Sequence, residues 1–291
     1  MSAESLRTGT SLDHVLLTRF NLPTGGVEAR IRADEAWLAN RWTLFERYCA
    51  PSVSAQTNTA FTWIIYFDPE SPEWLKQAIA PYAEAGLFIP IFRTEVPTDV
   101  LVSDVRSVAP YGEGTLLTTN LDNDDGIAID FVQRVQEAVT FADRRALYIA
   151  NGIIKGSDGV YLRRDPDNAF CSVAAPWSQP ETSWDDWHIM LRRNMPVVDI
   201  EGPPGWLQVV HGANVSNRVR GRLVSPDAWN ALFPGLLDDV AGPSTVRILR
   251  DRLLAGPLRW LRDTGRATLR RLVIAVLGKD GLLKLKARLK R

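Results

Sequence analysis

Apolar and polar positions alternate in blocks along the first half of the chain. Four apolar runs are rich in β-branched and aromatic residues and end at turn-forming or charged residues, which predicts buried strands. The runs are HVLLTRFNL (14–22), AFTWIIYFD (60–68), LFIPIFRT (87–94) and GTLLTTNLD (114–122).

Three stretches between and after these runs have apolar residues at helical spacing, namely 34–52, 71–86 and 130–142. We expect Pro51 to end the first helix, and Ser71 to cap the second with Pro72 at its first position. Strands and helices in this order predict an α/β fold, a mainly parallel sheet flanked by helices.

The second half of the chain has a different pattern. Two glycines in the sequence Gly-Ser-Asp-Gly at 156–159 predict a β-hairpin. Segments 170–176 and 206–217 predict further strands, and SWDDWHIMLRR (183–193) predicts a capped helix between them. Proline and glycine near 241–245 indicate a boundary between a domain over residues 11–242 and a basic helical extension over residues 243–291.

The charge of the chain is unevenly distributed. The 291 residues contain 34 basic and 34 acidic residues, but residues 247–291 hold 14 Lys and Arg against three acids. The preceding 246 residues therefore hold 20 basic residues against 31 acidic ones. A basic amphipathic tail predicts either binding to a membrane surface or docking on the acidic body, and the sequence leaves both open. Nucleic-acid binding is disfavoured because the tail has almost no aromatic residues for base stacking.

The remaining composition indicates the compartment. Cys49 and Cys171 have no paired spacing, which predicts two buried thiols rather than a disulfide or a zinc site. No signal peptide and no uncharged apolar stretch of membrane-spanning length is visible. We therefore expect a cytoplasmic protein, with its tail on the protein body or at the inner face of the plasma membrane.

Three aspartates follow the fourth predicted strand: Asp122, Asp124 and Asp125. Ligands of open α/β sheets bind outside the carboxyl ends of the strands. A D-x-D sequence at such an end offers oxygen ligands to Mg²⁺ or Mn²⁺, which complete their coordination with substrate phosphates. The cluster thus predicts a site for a metal and a diphosphate. A turn with Asp125 capping the next helix is the alternative, and a calcium loop fits less well because Gln133 stands where glutamate is needed.

His211 ends an apolar strand and is followed by Gly212. An imidazole there could be a third protein ligand for a transition metal such as Mn²⁺, although a structural histidine is the more common case. We expect His14 to cap the first strand and His188 to lie within a helix.

The segments LLTRFNL, FTWIIYFD, LLTTNLDNDDGI and WLQVVHGANVSN together resemble the bacterial putative rhamnosyl transferases, over about residues 11 to 220. These are similar to glycosyltransferases of the GT-A type. The resemblance implies a GT-A-like, Rossmann-like fold, a nucleotide-diphosphate-sugar donor, a saccharide or glycolipid acceptor and a divalent cation, Mn²⁺ or Mg²⁺.

The resemblance also implies roles for particular residues. Asp122 and Asp124 match the metal-binding motif, and His211 matches a late metal ligand. The residues on the donor side are Arg19, Asp68, Asn120 and Asp122. Alternative roles for Arg19 and Asp68 are a surface salt bridge and a turn.

Asp185 and Asp186 precede a predicted helix and are flanked by Trp184 and Trp187. In inverting GT-A enzymes an acidic residue at such a helix start is the usual general base, and this stretch resembles that arrangement. The alternative is that Ser183 or Asp185 only caps the helix. The hypothesis is a metal-dependent, inverting glycosyltransferase. A metal-dependent phosphohydrolase and a non-catalytic nucleotide-sugar-binding module remain as alternatives.

Overall fold

The computed structural model describes residues 11–23, 35–140, 143–211 and 219–259. Its strands form two sheets. The strands are β1 (Leu12–Arg19), β2 (Thr62–Phe67), β3 (Ile89–Phe92), β4 (Thr115–Asn120), β5 (Gly126–Ile127), β6 (Arg145–Ile149), β7 (Asn151–Gly156), β8 (Gly159–Arg164), β9 (Ser172–Pro176), β10 (Val197–Ile200), β11 (Trp206–Val209) and β12 (Arg222–Val224).

The helices lie mainly between the strands of the first half. They are α1 (Glu35–Leu44), α2 (Ala50–Ser54), α3 (Glu73–Glu84), α4 (Thr98–Val108), α5 (Phe131–Glu137), α6 (His188–Asn194) and α7 (Thr245–Arg250). A π-helical turn, Phe45–Cys49, joins α1 directly to α2.

The larger sheet has the strand order β10-β6-β9-β4-β1-β2-β3. Strand β1 lies at its centre, parallel to both β2 and β4, and β3 is parallel to β2. Only β9 runs antiparallel to its neighbours β4 and β6. The predicted α/β fold, with a mainly parallel sheet flanked by helices, is therefore confirmed.

The smaller sheet has the order β12-β8-β7-β11-β5. Strands β7 and β8 form the predicted hairpin, with Gly156 opposite Gly159. Segment 145–156 is divided between the two sheets at Ala150, which the sequence pattern did not reveal. Strand β5 follows the acidic residues directly and pairs with β11, and this pairing connects the two halves of the domain.

Several predicted helix boundaries were wrong. The first helix does not end at Pro51 but continues to Ser54. The π turn lies just before the proline, so Pro51 stands at the start of a new helical segment, where its missing N–H costs little. Helix α3 begins after Pro72 without a side-chain cap, since the Ser71 hydroxyl donates to the Asp68 carbonyl instead. Helix α5 stops at Glu137, before the β-branched residues Val139 and Thr140.

An aromatic cluster packs α1 and α3 against the larger sheet. Phe20, at the end of β1, contacts Trp42, Phe45 and Phe67 with ring centroids 5.2 to 5.7 Å apart. Each buried aromatic side chain of this kind contributes about 1.5–3 kcal/mol through the water-exposed area that it loses. This packing fixes α1 beside the carboxyl end of β1, where the candidate site lies.

The first helix of the basic extension contacts the domain. Arg247 pairs with Asp158 at the tip of the β7–β8 hairpin, with 2.9 Å between Nη2 and Oδ2, and the Asp251 carboxylate accepts a hydrogen bond from the Leu223 amide. The predicted tail from residue 260 onward lies outside the described residues, and the boundary near residue 243 stays a prediction. In the described part of the chain, no helix is both long enough and apolar enough to cross a membrane.

Candidate active site

The carboxyl ends of β1 and β4 meet at one edge of the larger sheet. Arg19 is the last residue of β1 and Asn120 the last of β4, and Leu17 lies opposite Asn120 in the register. Because the two strands are parallel neighbours, the residues that follow them share a surface. The side-chain nitrogen of Asn123, Nδ2, donates to the carbonyl oxygens of Arg19 and Phe20, both at 2.9 Å. These two hydrogen bonds hold the loop after β4 against the end of β1.

A cavity of about 470 Å³ opens at this edge. Its volume lies in the range of small-molecule binding sites. Five of the eight residues predicted from the sequence line it, in two groups that come from distant parts of the chain: Arg19, Asn120 and Asp122 on one side, and Asp185 and Asp186 on the other. The structure thus brings the predicted donor side and the predicted base together.

Trp184 connects the two sides of the cavity. Its indole nitrogen donates to the Asn120 side-chain oxygen at 2.7 Å, and the guanidinium carbon of Arg19 lies 4.0 Å from the centre of the ring. The ring also contacts Tyr66, at 5.5 Å between centroids. The indole face therefore supports the Arg19 cation. Sequence reasoning named Trp184 only as a flanking aromatic residue, and its spacing gave no sign of this role.

We call residues 122–125 the acidic loop, and its three carboxylates have different surroundings. Asp122 is the exposed one and faces the cavity. Asp124 is 5% exposed, and its Oδ2 atom lies 3.1 Å from Nε2 of His211 and forms an ion pair with Arg41. Burial alone would raise the pKa of Asp124, but the His211 hydrogen bond and the Arg41 charge outweigh it and lower that pKa.

Asp125 is completely buried and does not cap a helix. One carboxylate oxygen accepts the amide of Val209 at 2.8 Å, and the other finds no hydrogen-bond donor among the described residues. Burial, followed by the charges of Asp124 and Asp122, raises the pKa of Asp125 well above its ordinary value of 3.8. The alternative in which Asp125 caps the next helix is wrong, because Asp130 precedes that helix.

Strand pairing places His211 next to the acidic loop. Strand β5 begins directly after Asp125 and lies antiparallel to β11, which ends two residues before His211. The bond between Val209 and Asp125 fixes the same junction. His211 and Asp124 are 87 positions apart in the chain, so only this pairing between β5 and β11 brings them together.

Arg41, on α1, was missed by sequence reasoning. Besides its ion pair with Asp124, its Nη1 atom lies 3.3 Å from the Asn123 side-chain oxygen, and its guanidinium carbon lies 5.0 Å from the Trp37 ring centre. Nothing in the sequence pattern of the predicted helix distinguishes Arg41 from its other arginine. The aspartates near Arg41 in the fold are more than eighty positions away in the chain, so no local signal identifies the pair.

We call residues 182–187 the acidic turn. The Asp185 carboxylate accepts from the amide and the hydroxyl of Thr182, at 2.8 and 3.0 Å. Asp186 accepts from the Trp187 amide at 2.7 Å and from the Asn194 side chain at 2.6 Å. The predicted helix cap was wrong: α6 begins only at His188, and neither Ser183 nor Asp185 caps it.

Three further predictions concern Asp68, His14 and His188. Asp68 follows β2, and its carboxylate accepts the Glu70 amide at 2.8 Å, so the structure places it in a turn and not in the cavity lining. His14 does not cap β1 but lies buried within it, with Nε2 2.9 Å from the Thr119 hydroxyl. Burial lowers the pKa of His14 to about 3, so the ring is neutral. His188 lies in a helix, as predicted.

The donor set at the acidic loop suits a divalent cation in its chemistry. Two carboxylates and an imidazole are ligands that Mn²⁺ accepts. Among the described residues, no group of three or more His, Cys, Asp or Glu side chains is arranged so that it could hold a metal ion by itself. Asp124 contacts His211, and Arg41 is the cation that pairs with Asp124 in this structure. Asp122, Asp124 and His211 therefore have suitable donor chemistry for the predicted metal, and substrate phosphates would have to complete its coordination.

The chain is similar to several solved structures. One is S. aureus TarS 1–349, with 10% identity over 68% of this chain and 60% of that chain and a TM-score of 0.39. Another is the inositol-1-phosphate CTP transferase from T. maritima, with 10% identity over 80% of this chain and 99% of that chain and a TM-score of 0.37. A third is a "putative nucleotide-diphospho-sugar transferase" from Desulfovibrio desulfuricans G20, with 11% identity over 69% of this chain and 82% of that chain and a TM-score of 0.35. TM-scores this low assign no function. No curated protein matches the chain.

The family described as "Putative rhamnosyl transferase" matches residues 13–223. This range includes the two groups that line the cavity, the acidic loop, His211 and Arg41. The resemblance expected from the four sequence segments is therefore confirmed. Because the match extends over well more than half of the 291 residues, the chain belongs to the putative rhamnosyl transferase family.

Proposed function

We propose that this protein transfers a sugar from a nucleotide-diphosphate donor to a saccharide or glycolipid acceptor, with inversion at the anomeric carbon. The observation that carries the proposal is the cavity that Arg19, Asn120 and Asp122 line together with Asp185 and Asp186. Such a reaction needs a positively charged site for the leaving diphosphate and a carboxylate on the acceptor side. Family membership supports the same function, with rhamnose as the first sugar to test.

On the donor side, Asp122, Asp124 and His211 would hold Mn²⁺ or Mg²⁺. A bound cation of this kind stabilises the charge of the leaving diphosphate as a Lewis acid. Arg19 extends from the same sheet edge over Trp184 and donates charge-assisted hydrogen bonds to the phosphates. Asp68 is not part of this proposed site, because its carboxylate is engaged in its own turn.

On the acceptor side, we assign the general base to Asp186. It removes the proton of the acceptor hydroxyl while that oxygen forms a bond to the anomeric carbon. The bond from that carbon to the diphosphate breaks, and the electron pair leaves with the diphosphate. Both oxygens of Asp185 accept from Thr182, which fixes the turn. The Asp186 carboxylate accepts from the Trp187 amide and from the Asn194 side chain, which orient it in the cavity lining.

The test is a transfer assay with a panel of nucleotide-sugars, including nucleotide-linked rhamnose, with Mn²⁺ or EDTA present. We expect Asp124→Ala to lose transfer by at least about 100-fold, because the charge that anchors the cation is gone, and thermal unfolding checks that the variant is folded. Asp99→Ala, which removes an exposed carboxylate on α4, is the matched control and should retain full activity. Full activity in Asp124→Ala, or undiminished activity in EDTA, contradicts the metal role.

The same assay separates the alternatives. A phosphohydrolase would release phosphate from simple phosphoesters without an acceptor. A binding module would bind a nucleotide-sugar, detectable as a thermal shift, but would neither transfer nor hydrolyse it. Either result contradicts the proposed reaction.

We also propose that the basic extension binds an anionic membrane surface. Helix α7 and the turns after it, through residue 259, contact the domain with Arg247 and Asp251 and expose apolar side chains on the other side. The exposed apolar residues are Val246, Leu249, Leu253, Leu254 and Leu258. Apolar residues interleaved with arginines fit a lipid headgroup layer, which would bring the cavity to a glycolipid acceptor.

Flotation with vesicles containing anionic lipid tests this proposal. We expect the full chain to float, and a Leu249→Ser, Leu253→Ser variant to float several-fold less, because two exposed apolar side chains no longer insert. Leu249 and Leu253 are 56% and 66% exposed, so the variant should fold normally. If the full chain stays at the bottom of the gradient, the membrane proposal fails and docking on the acidic body is the better interpretation.

A further inference from the structure

The acidic loop meets a positive charge from the protein itself. Arg41 pairs with the same Asp124 oxygen that lies 3.1 Å from His211. A divalent cation at this nearly buried oxygen would be repelled by the Arg41 guanidinium, because little water is present to screen the two positive charges.

We propose that Arg41 is a built-in competitor of the divalent cation: it neutralises Asp124 in the free protein and is displaced when the cation and the donor diphosphate bind together. This inference rests on the proposed function. It adds a residue that sets the order of binding, since a cation alone must break the Arg41 pair, whereas a cation with a diphosphate offers Arg41 a new anionic partner.

The surroundings of Arg41 support a movement of this kind. Its side chain is 16% exposed, and a guanidinium released into such a place needs a new anion. The Trp37 ring, 5.0 Å from the guanidinium carbon, and the Asn123 oxygen, 3.3 Å from Nη1, support it beside the loop whichever oxygen it binds. Asn123 is itself tied to the end of β1, next to Arg19. The loop that Arg41 contacts is thus tied to the strand end that carries Arg19, to which the proposed function assigns the phosphates.

The cost to the cation follows from the same contact. The Arg41 ion pair must open before a cation can use this Asp124 oxygen, and Asp124 is only 5% exposed, so water screens the two charges little. Removal of the guanidinium should therefore raise the affinity of the loop for a metal cation.

The experiment measures Mn²⁺ binding to the whole chain by electron paramagnetic resonance, without donor and then with a nucleoside diphosphate. We expect Arg41→Gln to bind Mn²⁺ alone at least about tenfold more tightly than the natural protein. The nucleoside diphosphate should increase Mn²⁺ affinity strongly in the natural protein and much less in the variant. Arg41→Lys keeps the charge and should stay close to the natural protein.

The matched control is Arg47→Gln, which removes an arginine one and a half turns further along the same continuous helix, where it contacts the Gly235 carbonyl. It should leave Mn²⁺ binding unchanged. Thermal unfolding shows whether each variant is folded, and Arg41→Met, which also removes the charge, replaces Arg41→Gln if that variant does not fold. Mn²⁺ affinity that is equal or weaker in a folded Arg41→Gln variant overturns the inference. Normal Mn²⁺ binding without any sugar transfer would contradict the proposed function and leave the competition intact.

Discussion

The acidic loop and the acidic turn each contain adjacent carboxylates, but they hold them in opposite ways. In the loop, Asp122 lines the cavity, whereas Asp124 and Asp125 are 5% and 0% exposed. Burial alone would raise the pKa of Asp124, but His211 and Arg41 outweigh it and lower that pKa, whereas burial raises the pKa of Asp125 well above its ordinary value. In the turn, Asp185 is exposed and Asp186 partly exposed, and backbone and side-chain donors orient both.

The difference follows from the cost of burying charge. A buried carboxylate must be paired or protonated, so the loop needs partners from α1 and from the end of β11. A carboxylate close to water keeps its charge without a cation and remains available to take up a proton. Clustered aspartates in a sequence therefore do not indicate how many charges a site carries. The partners of each carboxylate decide: in the loop they lower the pKa of Asp124 and leave that of Asp125 raised, and in the turn they orient two carboxylates that lie close to water.

The acidic turn can be tested by removing its two charges separately. We expect Asp186→Asn to lower the rate of transfer at saturating substrates by about 10²–10⁴-fold, the usual contribution of a general base. Asp185→Asn should lower it less than about tenfold but reduce the unfolding temperature, because the asparagine loses part of the Thr182 bonding. Equal losses of rate would contradict the separate roles that we assign to the two residues. A larger loss in Asp185→Asn would exchange those roles.

Much of the fold was predictable because each strand of the parallel half is a short apolar run bounded by turn residues. The carboxyl-end position of Asp122 followed from that order. The contacts that give the site its chemistry were not predictable, since they join residues far apart in the chain. Arg41 meets Asp124 through helix packing, and His211 meets it through the β5–β11 pairing. The raised pKa of Asp125 depends mainly on complete burial, which no local pattern of the acidic loop encodes.

Trp184 connects the acidic turn to the donor side, so its replacement tests whether the two sides act together. We expect Trp184→Leu to weaken nucleotide-sugar binding about tenfold, because Arg19 loses its aromatic support and Asn120 loses a hydrogen bond. Trp184→Phe keeps an aromatic face and should lose less. Isothermal titration with a nucleoside diphosphate measures both variants. Unchanged affinity in Trp184→Leu would show that Arg19 is positioned without the indole.

The smallest expected effect concerns Asp125, the fully buried carboxylate of the acidic loop. A raised pKa means that Asp125 stabilises the fold most below pH 3.8 and that this stability is lost as pH rises towards its folded pKa. The asparagine in Asp125→Asn cannot ionise. The free energy of unfolding of this variant, relative to that of the natural protein, should therefore increase by about 1 kcal/mol or more from pH 5 to pH 8. Urea unfolding at both pH values measures the difference. Parallel pH profiles would mean that Asp125 is charged in the fold, and the contrast between the loop's two buried carboxylates would disappear.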